Sequence, residues 1–298
     1  MNKDPFSTTP TNENLHSTTA FSTINLYPPI SRVVEKEASE YQNSRHPLGL
    51  SLVHIFTQHH SLPEEVSVEE WDIFLQNYHL TMKSCMSHPT IRRWENITIH
   101  TFFNIGLCAG ASIPHLHGQS LIFNPSGSGS KNASYTLASQ GHNNCLKCQY
   151  WEKGEINFFS ESISIKNRII ASNKYWMAFL AYAPEKDSHI RLLPRRHVSA
   201  FWLLDKKELS TLAPLIIEVN KMLSNFIKRE GKNYHLVKDR NIIVRQTPPT
   251  DDNHFHMFID ILPVQQLGGA EILDNQKFSS ELPETIASKM LSLTLKDC

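Results

Sequence analysis

The sequence predicts an α+β fold built from two repeated units, each an antiparallel sheet with a packed helix. Three observations carry this expectation. His59 lies 56 residues before His115, and His197 lies 57 residues before His254. Ser67 follows His59 by eight residues, and Asp205 follows His197 by eight. Each unit closes on a His-x-His element, "HLH" at 115–117 and "HFH" at 254–256. Such recurrence in fixed order is the mark of a repeated supersecondary unit.

The elements follow in order. Residues 1–22 are rich in Ser, Thr and Asn and poor in large apolar side chains, so they predict a disordered tail. The first unit takes residues 23–135 and the second 136–298. The polar stretch "NPSGSGSKNASYTLASQGHNN", 124–144, predicts a flexible linker between them. Ser67 with Glu70, and Asp205 with Glu208, have the spacing of capping boxes that open helices. Trp71, Phe74, Leu75, Tyr78 and Met82 form one apolar stripe at helical spacing; Leu209, Leu212, Ile216, Val219, Leu223 and Phe226 form the other. Both stripes predict core packing. Gly231 is the expected stop of the second helix. The segments "HIRLLP", "ITIHTFFNI", "QSLIF", "NIIVRQ" and "HFHMFIDILP" predict strands.

The totals exclude several classes. The chain has 298 residues and a formal net charge of zero, so the basic footprint of a polynucleotide binder is missing. No apolar run approaches the roughly 18 residues of a membrane span. The N-terminus lacks the apolar core of a secretory signal, which leads to the expectation of a cytoplasmic protein. Five cysteines without a signal argue against a disulfide framework. Cys145 and Cys148 alone form a CxxC pair, with the spacing of zinc ligands. Sixteen histidines are many for this length, which draws attention to the two His-x-His elements. On a strand, residues i and i+2 share a face. His115 and His117 are therefore expected side by side with Gln119, and His254 beside His256.

"GASIPHLHGQ" resembles the active-site segment of the galactose-1-phosphate uridylyltransferase branch of the histidine triad (HIT) superfamily. The resemblance runs from "NLYPPISR" to the C-terminus and includes "FFNIGLCAGAS", "LLPRRH", "HFHMFIDILP" and "GGAEILDNQKFSSELPE". The last segment is most like the sugar-nucleotide phosphorylases of that branch. The resemblance implies a ping-pong nucleotidyltransferase in which His117 is the nucleophile and carries a covalent nucleotide. A neutral imidazole suits that role, splitting one difficult displacement into two easier ones. A backbone carbonyl accepting its other ring N–H would fix the tautomer. It further implies that Gln119 bonds the phosphoryl oxygens, where hydrolytic members carry a third histidine. A glutamine cannot supply a proton as an acid does, which favours transfer to a bound acceptor over hydrolysis.

By the same resemblance Ser112 and the backbone around Gly110 and Ala111 would cradle the phosphates, and Asn104 would reach them. Asn25 and Tyr27 lie in the segment similar to the nucleoside pocket, and Glu271 matches a family carboxylate near the sugar hydroxyls. In relatives with a structural zinc, a Cys2His2 set corresponds to Cys145, Cys148, His197 and His254, which implies one structural Zn2+ in the second unit. His256 would then be the vestigial counterpart of the nucleophile, and Phe258 stands where the first unit has Gln119. Relatives commonly carry a CxxC before the "NLYPP"-like segment, whereas no cysteine precedes Cys85 here. His59 and His115, with His60 as a further candidate, would lack thiolate partners. No stable zinc is expected there, and His115 would orient His117. Arg245 lies near the place of a histidine iron ligand of some uridylyltransferases.

The substrates implied are a nucleotide sugar and either a sugar phosphate or inorganic phosphate, with no organic cofactor, no nucleic acid and no membrane. The adenylyl phosphorylase and uridylyl transfer alternatives stay open, with a diadenosine polyphosphate as another donor. A non-catalytic nucleotide-binding protein, derived from such an enzyme, is the competing class. Dimers occur in the family and a C2 dimer is the commonest soluble assembly, although the sequence itself demands none.

Overall fold

The computed structural model describes residues 20–25, 31–32, 48–56, 62–94, 97–123, 145–158, 161–247, 255–266, 268–269 and 279–294. The strands among them are β1 (Phe21–Ile24), β2 (Ser31–Arg32), β3 (Leu48–Ile55), β4 (Thr98–Ile105), β5 (His117–Phe123), β6 (Glu155–Phe158), β7 (Glu161–Ser164), β8 (Ile169–Ser172), β9 (Trp176–Leu180), β10 (Ile190–Pro194), β11 (Leu236–Arg245) and β12 (Phe258–Gln265). The helices are α1 (Val68–Ser87), α2 (Pro89–Arg92), α3 (Leu146–Lys153), α4 (Lys206–Glu230) and α5 (Pro283–Thr294).

One large sheet runs in the order β1-β3-β5-β4-β11-β12-β10-β9-β8, with β2 added in parallel to β3. The order β1-β3-β5-β4 recurs as β9-β10-β12-β11. In both halves the long helix lies in sequence between the second and third of these strands. The halves meet where β4 pairs with β11 antiparallel, from Thr101 opposite Val244 to Ile105 opposite Arg240. β6 and β7 form a separate hairpin.

Local sequence explains both long helices. Ser67 accepts from the Glu70 amide while the Glu70 carboxylate returns to the Ser67 amide. Asp205 and Glu208 repeat that exchange at α4. The buried side of α1 is Trp71, Phe74, Leu75, Tyr78 and Met82, the stripe read from the sequence. All six positions of the second stripe are buried on α4. Each such apolar side chain contributes about 1.5–3 kcal/mol on leaving water. Phe56 stacks on Phe74 with ring centroids 3.7 Å apart, and Trp71 lies edge-on to Phe56 at 4.1 Å. α1 packs against α4, and α5 against α4 and β9. β4 alternates, with Ile99, Thr101, Phe103 and Ile105 buried towards the core. β9, Trp-Met-Ala-Phe-Leu, is buried at every position, the pattern of a strand covered on both faces.

Three local expectations fare differently. The tail expected through residue 22 ends sooner, because Ala20 is fully buried and β1 starts at Phe21; composition alone hid a four-residue strand. α4 does stop at Gly231, its C-cap, but without the left-handed conformation: φ there is −55°, a tight turn over Gly231–Tyr234 follows, and the left-handed residue is His235. The expected linker 124–144 lies outside the described residues. Among the described residues, no helix is long and apolar enough to cross a membrane.

Candidate active site and metal centre

β5 begins at His117, so the two histidines of "HLH" do not share a strand face as expected. Pro114 has no N–H to give a ladder, and residues 112–115 form bends instead. His115 is 1 % exposed and His117 4 % exposed. The two are joined through the backbone: His117 Nδ1 lies 2.7 Å from the carbonyl oxygen of His115. A carbonyl only accepts, so Nδ1 carries a proton, and in the neutral ring the lone pair falls on Nε2. That is the tautomer a nucleophilic histidine requires.

Gln119, two residues along β5, pairs with Val53 of β3 and Phe102 of β4. It therefore shares a face with Phe102, whose neighbours on that face are His100 and Asn104. A cavity of about 300 Å3 opens on this face over β4 and β11, lined by His100, Phe102 and Asn104 and by Asn241, Ile243 and Arg245. Gly118 between the two site residues is forced by packing: a Cβ there would fall 2.5 Å from the Phe103 ring.

The opposite face of β5 holds a buried polar chain. Ser120 Oγ lies 2.9 Å from His54 Nε2 and 2.8 Å from Thr101 Oγ1. His54 Nδ1 meets Ser22 Oγ at 2.8 Å, Tyr78 donates to Thr101, and Gln246 donates to Tyr78. Burial lowers the His54 pKa to about 3, so it is neutral at ordinary pH. These bonds tie β5 to β1, β3, β4, α1 and β11 directly beneath the site.

The loop from β4 to β5 is a short turn over Leu107–Ala109 between two glycines, Gly106 at φ 88° and Gly110 at φ 89°. The Gly110 amide donates to Leu107 O at 3.0 Å and the Ala111 amide to Gly106 O at 3.1 Å. Both amides expected to cradle phosphates are thus spent inside the loop. Ser112, which follows, is exposed. Asn104 donates to Gly110 O at 3.2 Å and accepts from Asn241 at 2.8 Å. Asn25 directly follows β1, its amide donating to Ser51 O at 2.9 Å. Tyr27, His59, His60 and Glu271 lie outside the described residues.

In the second half, Cys145, Cys148, His197 and His256 bring one ligand atom each to within 4.8 Å of one another. This corrects the expected set. The fourth place is taken by His256, the residue assigned to packing as the vestigial nucleophile; His254 lies outside the described residues. The cause is again where the strand begins: β12 starts at Phe258, so same-face alternation does not fix which histidine turns inward. His256 Nε2 donates to Pro194 O at 2.9 Å, leaving the Nδ1 lone pair 3.6 Å from both thiols. His197 Nδ1 lies 3.3 Å from Cys148 Sγ. Cys145 caps α3 and Cys148 lies three residues on, a spacing that brings both thiols to one side. Burial, and next the neighbouring Cys145, push the Cys148 thiol up to about 12; a bound cation would displace that proton. Two thiols and two imidazoles form a donor set suited to tetrahedral zinc, and Pro194 O supplies the outer contact that fixes a ligand histidine.

Phe258, the counterpart of Gln119, is enclosed by cations. The Arg191 guanidinium lies 4.0 Å and Lys147 Nζ 4.7 Å from its ring centre. Burial lowers the Lys147 pKa to about 8. An aromatic ring thus fills the place where the first half has the Gln119 amide.

The family model for the HIT domain matches residues 163–260. An uncharacterized HIT-like protein, MG132 of Mycoplasma genitalium, is 30 % identical over 105 residues, covering 35 % of this chain and 69 % of that protein. The chain belongs to the HIT family. The HIT domain match falls in the half that carries the Cys–His cluster. Across nearly the whole chain the HIT protein is similar to a solved uridylyltransferase mutant, with a TM-score of 0.71 and 18 % identity over 94 % of this chain and 89 % of that one. It is also similar to an ADP-glucose phosphorylase from Arabidopsis thaliana solved with ADP-glucose, with a TM-score of 0.69 and 20 % identity over 92 % and 82 % of the chains. At these identities the two likenesses show a shared fold.

Proposed function

We propose that this HIT protein is a nucleotidyltransferase moving a nucleoside monophosphate from a nucleotide sugar to a sugar phosphate, through a covalent nucleotide on His117. The observation that carries this is the His117 tautomer: Nδ1–H is held by His115 O, and Nε2 keeps the lone pair that attacks the α-phosphorus. In the first step the Nε2–P bond forms and the P–O bond to the sugar phosphate breaks, the leaving oxygen departing with its electron pair. In the second step the acceptor's phosphate oxygen attacks the same phosphorus and Nε2 leaves. The transition state spreads charge over phosphoryl oxygens, where Gln119 and Ser112 donate hydrogen bonds. Asn104 stands at the edge of the same site.

The Cys145, Cys148, His197 and His256 set would hold one zinc, which supplies structural cross-linking of α3 to the β10 and β12 ends when bound. The zinc takes no part in the reaction. A second reading replaces the acceptor by inorganic phosphate, making the protein a sugar-nucleotide or diadenosine polyphosphate phosphorylase; the likeness in fold to the ADP-glucose phosphorylase favours testing it. The competing class is a nucleotide-binding protein without turnover.

Partial exchange separates these. Labelled glucose 1-phosphate is incubated with the protein and unlabelled UDP-glucose or ADP-glucose, and label is followed into the nucleotide sugar. Exchange is expected with one of the two donors and lost in His117→Ala. Phosphate-dependent release of a nucleoside diphosphate would select the phosphorylase reading. Tight nucleotide binding with neither reaction would select the binding protein.

A further inference from the structure

We infer that Asp239 and Asn241, both on β11, are positioning residues for the loop 106–112 and hence for the phosphates of the donor. The role in catalysis rests on the nucleotidyl-transfer reading of His117. Asp239 is 8 % exposed, and its Oδ2 accepts from the Cys108 amide at 2.8 Å. Gly106 lies so close that a Cβ would fall 2.1 Å from the Asp239 carboxyl carbon. Loop and carboxylate therefore interlock, and no other residue type fits at Gly106, where φ is 88° as well.

Asn241, two residues along the same strand face, holds the other side. Its Nδ2 donates to Ala109 O at 2.9 Å and to Asn104 Oδ1 at 2.8 Å. With Oδ1 thus occupied, Asn104 presents Nδ2 to Gly110 O at 3.2 Å. Four of the five loop positions from 106 to 110, Gly106, Cys108, Ala109 and Gly110, meet three side chains, of which Asp239 and Asn241 come from the second half. With the Ala109, Gly110 and Ala111 amides spent inside the loop and the Cys108 amide on Asp239, the loop acts by holding Ser112 and the entry to His117 in one place. Rigid delivery of reacting groups matters: a misplacement of about 1 Å can cost about 100-fold in rate.

The test uses the full chain, with amide hydrogen exchange and single-turnover nucleotidylation by UDP-glucose and ADP-glucose. Asp239→Ala is expected to raise exchange at Cys108 about tenfold or more and to slow nucleotidylation by about 10- to 100-fold, with donor affinity little changed. Asp239→Asn keeps an accepting oxygen in the same shape and is expected to restore most of both. Asn241→Ala is expected to loosen Ala109 and Gly110 in the same way. Unchanged protection at Cys108 in Asp239→Ala, or a loss of donor affinity with an unchanged nucleotidylation rate, overturns the inference. A wild-type protein that takes no nucleotide from any donor sinks the reaction reading instead, and the exchange data still decide whether Asp239 holds the loop.

Discussion

The His117 ring donates through Nδ1 to the carbonyl oxygen of His115, 2.7 Å away. The His256 ring donates through Nε2, to Pro194 O at 2.9 Å. The corresponding histidines of the two halves therefore hold opposite tautomers. In the first the lone pair of the neutral ring falls on Nε2, and in the second Nδ1 lies 3.6 Å from two thiols. A single backbone carbonyl in each half sets which ring nitrogen carries the proton, and under the proposed function that choice separates a nucleophile from a metal ligand.

The metal centre gives the first prediction. About one zinc per chain is expected on purification with the metal supplied, bound by Cys145, Cys148, His197 and His256. With free zinc roughly a thousandfold above its Kd, the folded state gains about 4 kcal/mol. Cys145→Ser and His256→Ala should each lose the metal and that stability, read by metal analysis and urea denaturation. Retained zinc in His256→Ala would return the fourth place to another ligand.

The buried polar chain beneath β5 gives a prediction in pH. The folded state holds His54 down to about 3, while an unfolded histidine titrates near 6.5. On acidification the unfolded chain takes up the proton first. Stability is therefore full above about 6.5 and is lost towards about 3, at up to about 1.4 kcal/mol per pH unit. Denaturation at about pH 7 and about pH 5 should show this loss, and His54→Gln should remove its share of the slope. An identical slope in the variant would contradict the assignment.

Gly118→Ala should cost about 1–3 kcal/mol, because the added methyl meets the Phe103 ring at 2.5 Å in a packed core. The strand carrying His117 and Gln119 must shift to admit it. Activity is expected to fall further than the loss of folded protein explains, measured on material verified as folded by circular dichroism.

Much of the fold was legible because it is written locally. Capping boxes at Ser67 and Asp205 and the two apolar stripes need only a few adjacent turns of sequence. The spacing of His59, His115, His197 and His254 led to the expectation of two units, and the strand order β1-β3-β5-β4 recurring as β9-β10-β12-β11 is consistent with it. What failed depends on where a strand begins. Same-face alternation was applied to His115 with His117 and to His254 with His256, but β5 starts only at His117 and β12 only at Phe258, so it governs neither His115 nor His256. The loop amides of Gly110 and Ala111 turned inward because two glycines at positive φ close a tight turn, a geometry that the residue types allow without dictating. Asp239 and Asn241 were missed for a different reason: their partners lie more than a hundred residues away across the β4–β11 junction. A signal was present, since Asp239 and Asn241 are polar residues at alternate positions immediately before the apolar run "IIV" of the same strand.

The central claim is a nucleotide bonded to His117 Nε2, and trapping it tests that most directly. The protein is mixed with UDP-glucose, ADP-glucose or diadenosine tetraphosphate without acceptor, quenched at alkaline pH, and analysed by intact mass and peptide mapping. The account predicts one acid-labile nucleotidyl group per chain, mapped to His117, absent from His117→Ala and discharged by a sugar phosphate or inorganic phosphate. Turnover of a donor with no adduct on the protein, or an adduct that persists in His117→Ala, would contradict it.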